Sequence, residues 1–176
     1  MLEFRTSVRV GACATSRRLS LRMNPSAVAA HRDSAGFPLD LPINRCSTVD
    51  GRLWSRLGPN EWLLLAPETD SGALESAIAP ALGDGFFSLV DVSHRNAAIS
   101  VEGPRSLEVL NGGCPLDLGD AAFPPGAATR TLFGNAEIVL LRPTAERFYR
   151  VECGRSFAPY VHGLLQDIAR EFALSS

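Results

Sequence analysis

The sequence predicts an α+β fold made of duplicated β-α-β-β-α units, with largely antiparallel sheets and helices on the outer faces. Three observations carry the prediction. Pro115-Leu116-Asp117-Leu118 repeats Pro38-Leu39-Asp40-Leu41, and a glycine stands two residues before each copy (Gly36, Gly113). The context repeats too: an alternating stretch (19–22; 99–102), a proline (Pro25; Pro104) and a short amphipathic run precede each tetrapeptide. Two longer segments, 71–82 and 156–173, carry an apolar stripe at helical spacing, the pattern of a helix that covers one face of a sheet. The 176 residues fit a single domain, 1–176, with repeat halves at approximately 1–84 and 85–176.

Residues 5–10 alternate Arg5, Ser7 and Arg9 against Thr6, Val8 and Val10, which reads as a strand with one wet face. Residues 17–22 continue the pattern. Asn24-Pro25 supplies an N-cap and a proline at the first helical position, where the missing N–H costs nothing, so 26–32 reads as a short helix ended by Gly36. After a loop through Pro42 and Asn44, residues 53–57 and 62–66 form a hairpin about Gly58-Pro59-Asn60. The helix over 71–82, with Leu74, Ile78 and Leu82 at four-residue spacing, covers that hairpin.

Gly83-Asp84-Gly85 separates the halves. Strands at 86–92 and 97–101 follow, then a helix opened by Gly103-Pro104, carrying Leu107, Val109 and Leu110 and closed by Gly112-Gly113. Phe123-Pro124-Pro125-Gly126 is a loop. Strands at 128–133 and 137–142 turn about Gly134-Asn135, and 147–153 is a third. The last helix places Tyr160, Leu164, Leu165, Ile168 and Phe172 on one side. The aromatic residues Trp62, Phe86, Phe87, Phe148, Phe157 and Phe172 fall on apolar faces and are expected in the core.

Composition narrows the function classes. The chain has no lysine; all 17 basic residues are arginine, which excludes Schiff-base and P-loop lysine chemistry. Residues 1–56 carry nine arginines against four acids, and 57–176 carry eight against fifteen. A basic N-terminal third can steer toward an acidic surface, and Arg17, Arg18 and Arg22 are the candidates for such a contact. A net charge of −2 with no long basic run argues against nucleic acid. No apolar run reaches the roughly 20 residues of a membrane span. Cys13, Cys46, Cys114 and Cys153 lie too far apart for a zinc knuckle or redox dithiol. They are expected as reduced, mostly buried thiols of a cytoplasmic protein.

The polar constellations resolve into structural readings. Asp91, Ser93 and His94 are neighbours in sequence, whereas triad members converge from separate elements, so a strand-end network bonding nearby amides is expected. Asp91, His94 and Arg95 remain candidates for a partner contact. Cys114 follows a helix C-terminus, whose dipole disfavours a thiolate. Glu61 and Glu137 are isolated carboxylates, and His31, His94 and His162 share no ligand spacing. From the residues alone, the chain has no self-sufficient active site and no cofactor or metal site of its own.

Val90-Asp91-Val92-Ser93-His94-Arg95, then Gly103-Pro104, then a helix ending in Leu110, resembles the folate-binding domain shared by the glycine-cleavage T protein and its relatives. Leu57-Gly58-Pro59-Asn60-Glu61-Trp62-Leu63-Leu64-Leu65, Gly113-Cys114-Pro115-Leu116-Asp117-Leu118, Phe123-Pro124-Pro125-Gly126 and Arg155-Ser156-Phe157 together resemble the gamma subunits of heterotetrameric sarcosine oxidase, over roughly residues 42–172. The resemblance implies a subunit of a complex that oxidatively demethylates sarcosine to glycine. It also implies alpha and beta partners holding FAD, FMN and NAD and offering a folate site, and a delta subunit binding zinc. N-methylglutamate dehydrogenase has a similar subunit, and a stand-alone tetrahydrofolate-binding or aminomethyltransferase-like protein is the alternative. The family's folate-binding enzymes carry an aspartate on the strand after a Gly-rich turn; here Gly134-Asn135-Ala136-Glu137-Ile138 has a glutamate one position away.

Overall fold

The computed structural model describes residues 8–24, 26, 38–70, 73–82 and 85–173. They form two compact units, Thr15–His94 and Met1–Ala14 with Arg95–Ser176.

The unit Thr15–His94 contains β2 (Ser16–Met23), β3 (Arg45–Val49), β4 (Arg52–Gly58), β5 (Glu61–Pro67), α1 (Ala73–Ala81) and β6 (Phe87–Asp91). Its sheet runs β3-β4-β5-β2-β6, every neighbour antiparallel. Alternation places Leu19, Leu21 and Met23 of β2 on one face with Trp54, Trp62 and Leu64, where Ile78 and Leu82 from the α1 segment close the core. Burying a leucine-sized side chain stabilises by about 1.5–3 kcal/mol, so this stripe anchors the helix. The first tetrapeptide is tied to the hairpin: Trp62 Nε1 donates to the Leu39 carbonyl at 3.1 Å, and Arg56, stacked 5.0 Å over the Trp62 ring, donates to the Leu41 carbonyl at 2.9 Å.

The other unit contains β1 (Arg9–Ala12), β7 (Asn96–Glu102), α2 (Ser106–Asn111), β8 (Ala127–Phe133), β9 (Ala136–Arg142), β10 (Phe148–Gly154) and α3 (Ala158–Ala173). Its sheet runs β8-β9-β10-β7-β1, again antiparallel. Ile99, Val101, Ile138, Leu140, Tyr149 and Val151 pack with Val109 and Leu110 of α2 and with Val161 and Leu165 of α3.

The two strand orders correspond element for element, which bears out the duplication, with differences in detail. The second copy reads β-α-β-β-β-α, one strand more than expected, and the first has the matching three strands before its last helix; the helix expected over 26–32 lies, apart from Ser26, outside the described residues. Asn24 Oδ1 accepts the Ser26 N–H at 3.0 Å, the bond expected of a capping residue. The added strand is β3, joined to β4 through Asp50 (φ 51°) and Gly51 (φ 74°). Two left-handed residues make the turn whose twist matches a two-residue hairpin, and Asp-Gly is a strong sequence signal for it. The fifth strand of each sheet is also exchanged in order: β6 follows α1 along the chain, whereas its counterpart β1 comes from the N-terminus. By contacts the units therefore divide at residues 14/15 and 94/95 instead of at Gly83-Asp84-Gly85, of which only Gly85 is described.

Smaller corrections follow from packing. The shared tetrapeptide is used differently in its two copies: Leu39 is buried in the first and Leu118 in the second, where Leu116 is exposed. The α2 helix begins at Ser106 with Arg105 as its cap residue, so Pro104 precedes the helix. On α3 the inserted residue is Val161; Tyr160 lies at the rim, its hydroxyl accepting the Asn135 N–H at 3.2 Å. Trp62 is fully buried, but Phe86 is 99% exposed and Phe157 is half-exposed, contrary to the core expected for both.

Candidate functional site

The polar residues singled out from sequence fall mainly around the end of β6. Asp91 closes that strand, and the turn over residues 93–95 follows it. Asp91 Oδ1 accepts the Ser93 N–H at 2.8 Å, Ser93 Oγ accepts the Arg18 N–H at 2.9 Å, and the Arg18 carbonyl accepts the Val92 N–H at 2.8 Å. This is the strand-end network expected from the sequence. It holds a turn, with the Ser93 hydroxyl engaged by backbone and not poised as a nucleophile.

Arg17 is its hub. Nη2 lies 2.5 Å from Glu75 Oε1 and 2.8 Å from Asp91 Oδ2, and Nη1 donates to the Asp70 carbonyl at 3.1 Å. Asp70 is held in turn by Arg52 at 2.6 Å. The Ser93 hydroxyl and amide, followed by the Arg17 guanidinium, lower the Asp91 carboxyl to about 2; the Asp91 bond raises Arg17 above its ordinary value. One guanidinium thus ties β2 to the β5–α1 connection, to the first turn of α1 and to the end of β6.

The six candidate contact residues separate by environment. Arg17 is committed to this network. Arg18 is buried, its Nη1 donating to the Ser16 carbonyl at 2.8 Å. Arg22 is exposed, with Nη2 3.3 Å from Glu61 Oε2. Asp91 is part-exposed beside Arg17, and His94 and Arg95 are exposed.

A second cluster, in the other unit, had no sequence signal because its members are dispersed. Asp120, in the loop before β8, receives Arg142 at 2.7 Å and Arg147 at 3.0 Å. Arg142 also donates to the Phe123 carbonyl at 2.8 Å and lies 5.6 Å from the Tyr149 ring centroid. Hydrogen bonding from Arg142, then the charges of both arginines, lowers the Asp120 carboxyl. The cluster pins the Pro-rich loop to the ends of β9 and β10. Beside it, an open pocket of about 520 Å³ is lined by Glu102, Gly103, Pro104, Glu146, Arg147 and Phe148. Glu102 is ion-paired with Arg9 at 2.6 Å, which lowers its carboxyl.

The remaining candidates lack a constellation. Cys114 is buried, with Sγ 3.8 Å from Thr131 Oγ1. Glu137 is exposed on β9, while Ala136 and Ile138, its neighbours on either side, are buried in the core. In a strand, moving one position moves the side chain to the opposite face. The Glu137 carboxyl therefore lies on the face opposite Ala136 and Ile138. Among the described residues, no group of three or more His, Cys, Asp or Glu side chains is placed to hold a metal ion, and no helix is long and apolar enough to cross a membrane.

Residues 22–171 match the family described as sarcosine oxidase, gamma subunit family. The sarcosine oxidase subunit gamma of Corynebacterium sp. (strain P-1) is 31% identical over 147 residues, covering 84% of this chain and 70% of that protein. In solved structures, a chain of the heterotetrameric sarcosine oxidase from Corynebacterium sp. U-96, in complex with pyrrole 2-carboxylate, superposes with a TM-score of 0.84 at 30% identity, covering 94% of this chain and 85% of that one. The glycine cleavage system aminomethyltransferase T of Bartonella henselae shares the fold, with a TM-score of 0.67 at 12% identity over 92% of this chain and 46% of that one. The chain belongs to the sarcosine oxidase, gamma subunit family.

Proposed function

We propose that this chain is the non-catalytic gamma subunit of a four-chain, cytoplasmic sarcosine oxidase, and that it serves assembly. In this reading the oxidative demethylation of sarcosine to glycine takes place on the alpha and beta subunits. They carry FAD, FMN and NAD and a folate site, and a delta subunit holds zinc. The observation that carries the reading is the superposition over 94% of the chain on a component of a heterotetrameric sarcosine oxidase. The local chemistry supports it: the arginine–carboxylate clusters hold loops, and Glu137 points away from the core face. Arg22, Asp91, His94 and Arg95 are the candidate contact residues, while Arg17 and Arg18 act within the fold.

Co-expression of the tagged chain with the three other subunits, followed by one affinity step, tests the proposal. Retention of all three is expected; elution of this chain alone, under conditions in which the others assemble, contradicts it. The fold shared with aminomethyltransferase T motivates a second reading, a stand-alone tetrahydrofolate-binding protein. Titration calorimetry on the isolated chain separates the two, since saturable heat with tetrahydrofolate is expected only from the second.

A further inference from the structure

We propose that the pocket between the end of β7 and the start of β10 is a binding site for a small organic cation, an alkylated ammonium with an apolar substituent. The pocket lies within one unit of this chain, so the inference does not rest on the subunit reading above.

Backbone pairing fixes its walls. Phe148 stands directly opposite Glu102, and Glu102 opposite Arg9, so the three side chains share one face of the sheet. Val101 and Tyr149 enter the core from the other face. The Gly103 N–H donates to the Arg147 carbonyl at 2.9 Å, which ties the segment after β7 to the one before β10. The Phe148 N–H donates to the Glu146 carbonyl at 2.8 Å, which bends residues 146–148 into a three-residue turn. Gly103 holds a φ of 113°, a conformation open to glycine and strained for other residues. The volume, about 520 Å³, falls within the range of small-molecule sites.

Charge selects the occupant. Glu102 is paired with Arg9 at 2.6 Å, and Arg147 is engaged by Asp120 at 3.0 Å and by the Tyr149 hydroxyl at 3.4 Å. Among the described residues the Glu146 carboxylate has neither an ion pair nor a hydrogen bond. The lining carries two carboxylates against one guanidinium, a surplus of negative charge that disfavours an anion. A hard metal ion asks for more oxygen ligands than two carboxylates and gains nothing from Pro104 and Phe148. A zwitterion would need Arg147, which Asp120 already holds. An ammonium set between the Glu146 carboxylate and the Phe148 ring uses the uncommitted charge and the π face together, and its apolar substituent covers Pro104.

The test titrates the full chain with benzyltrimethylammonium, followed by two-dimensional NMR, with benzyl alcohol and benzoate as uncharged and anionic comparators. Saturable shifts of the Glu146, Arg147 and Phe148 amides are expected with the cation, at an affinity at least fivefold above either comparator. Glu146→Gln is expected to weaken cation binding about three- to tenfold, and Phe148→Leu about two- to fivefold. Glu146 is exposed, so its variant keeps the fold and decides the question even where Phe148→Leu loosens the half-buried wall. Equal affinity for benzyl alcohol reduces the pocket to an apolar dent, and unchanged cation affinity in Glu146→Gln removes its recognition element. Either result overturns the assignment, as does the absence of saturable shifts at these residues.

Discussion

Replacing Arg17 by glutamine removes the guanidinium from three acceptors at once: Glu75 at 2.5 Å, Asp91 at 2.8 Å and the Asp70 carbonyl at 3.1 Å. A hydrogen bond to a charged group contributes about 1.5–3 kcal/mol net, and an exposed ion pair contributes below about 1 kcal/mol. The Arg17 side chain is 19% exposed and those of Glu75 and Asp91 are 31% and 43%, so the lower end applies. The substitution is expected to cost about 2 kcal/mol at pH 7 in urea unfolding of the isolated chain. The pH dependence has a definite sign. Asp91 is lowered from its ordinary 3.8 to about 2, so its contribution is present above pH 3.8 and is lost as the pH falls through 2. Discounted for its exposure, that contribution is about 1 kcal/mol. The Ser93 hydroxyl and amide are the larger causes of that lowering and survive the substitution, so wild type and Arg17→Gln both lose the Asp91 contribution toward pH 2 and the gap between them narrows only by the Arg17 share. A gap below about 0.5 kcal/mol at pH 7 would refute the hub and return Arg17 to the surface as a contact residue.

Two further predictions concern packing and chemistry. A Cβ on Gly113 would stand 2.7 Å from Phe133 Cε2 and Cζ, on a ring with no exposed surface; Gly113→Ala is expected to destabilise by about 1–3 kcal/mol in the same unfolding assay, and an unchanged midpoint contradicts that packing. Glu137→Gln is expected to leave stability within about 0.5 kcal/mol and sarcosine turnover of the assembled complex within twofold; a tenfold loss would place proton transfer on β9.

The duplication was legible because strands and helices announce themselves locally. Leu19 and Leu21 alternate with polar neighbours, and α3 carries its stripe at helical spacing, so element types and most boundaries follow from periodicity. What periodicity leaves open is which edge receives a strand. Nothing in Arg9–Ala12 distinguishes pairing with β7 from a place in the first sheet, because both edges accept an alternating segment; the choice is made by long-range contacts. The β3 strand was legible in principle, through Asp50-Gly51, but its five residues carry few apolar side chains. At the candidate site, the Asp91–Ser93 turn could be anticipated from two short polar residues beside a strand end. The commitment of Arg17 could not, since Glu75 and Asp91 are 58 and 74 residues away. Phe86 is the converse case: an aromatic residue beside an apolar run reads as core, and its 99% exposure becomes visible only once β6 is an outer strand.

The most direct measurement is a drop-out experiment: purify the sarcosine oxidase from cells expressing the other three subunits with and without this chain, and determine composition by native mass spectrometry alongside sarcosine turnover. The account predicts one copy of this 18.9-kDa chain beside three different chains when it is present, and failed assembly with lost turnover when it is omitted. A stable three-chain complex with full turnover in its absence would contradict the account.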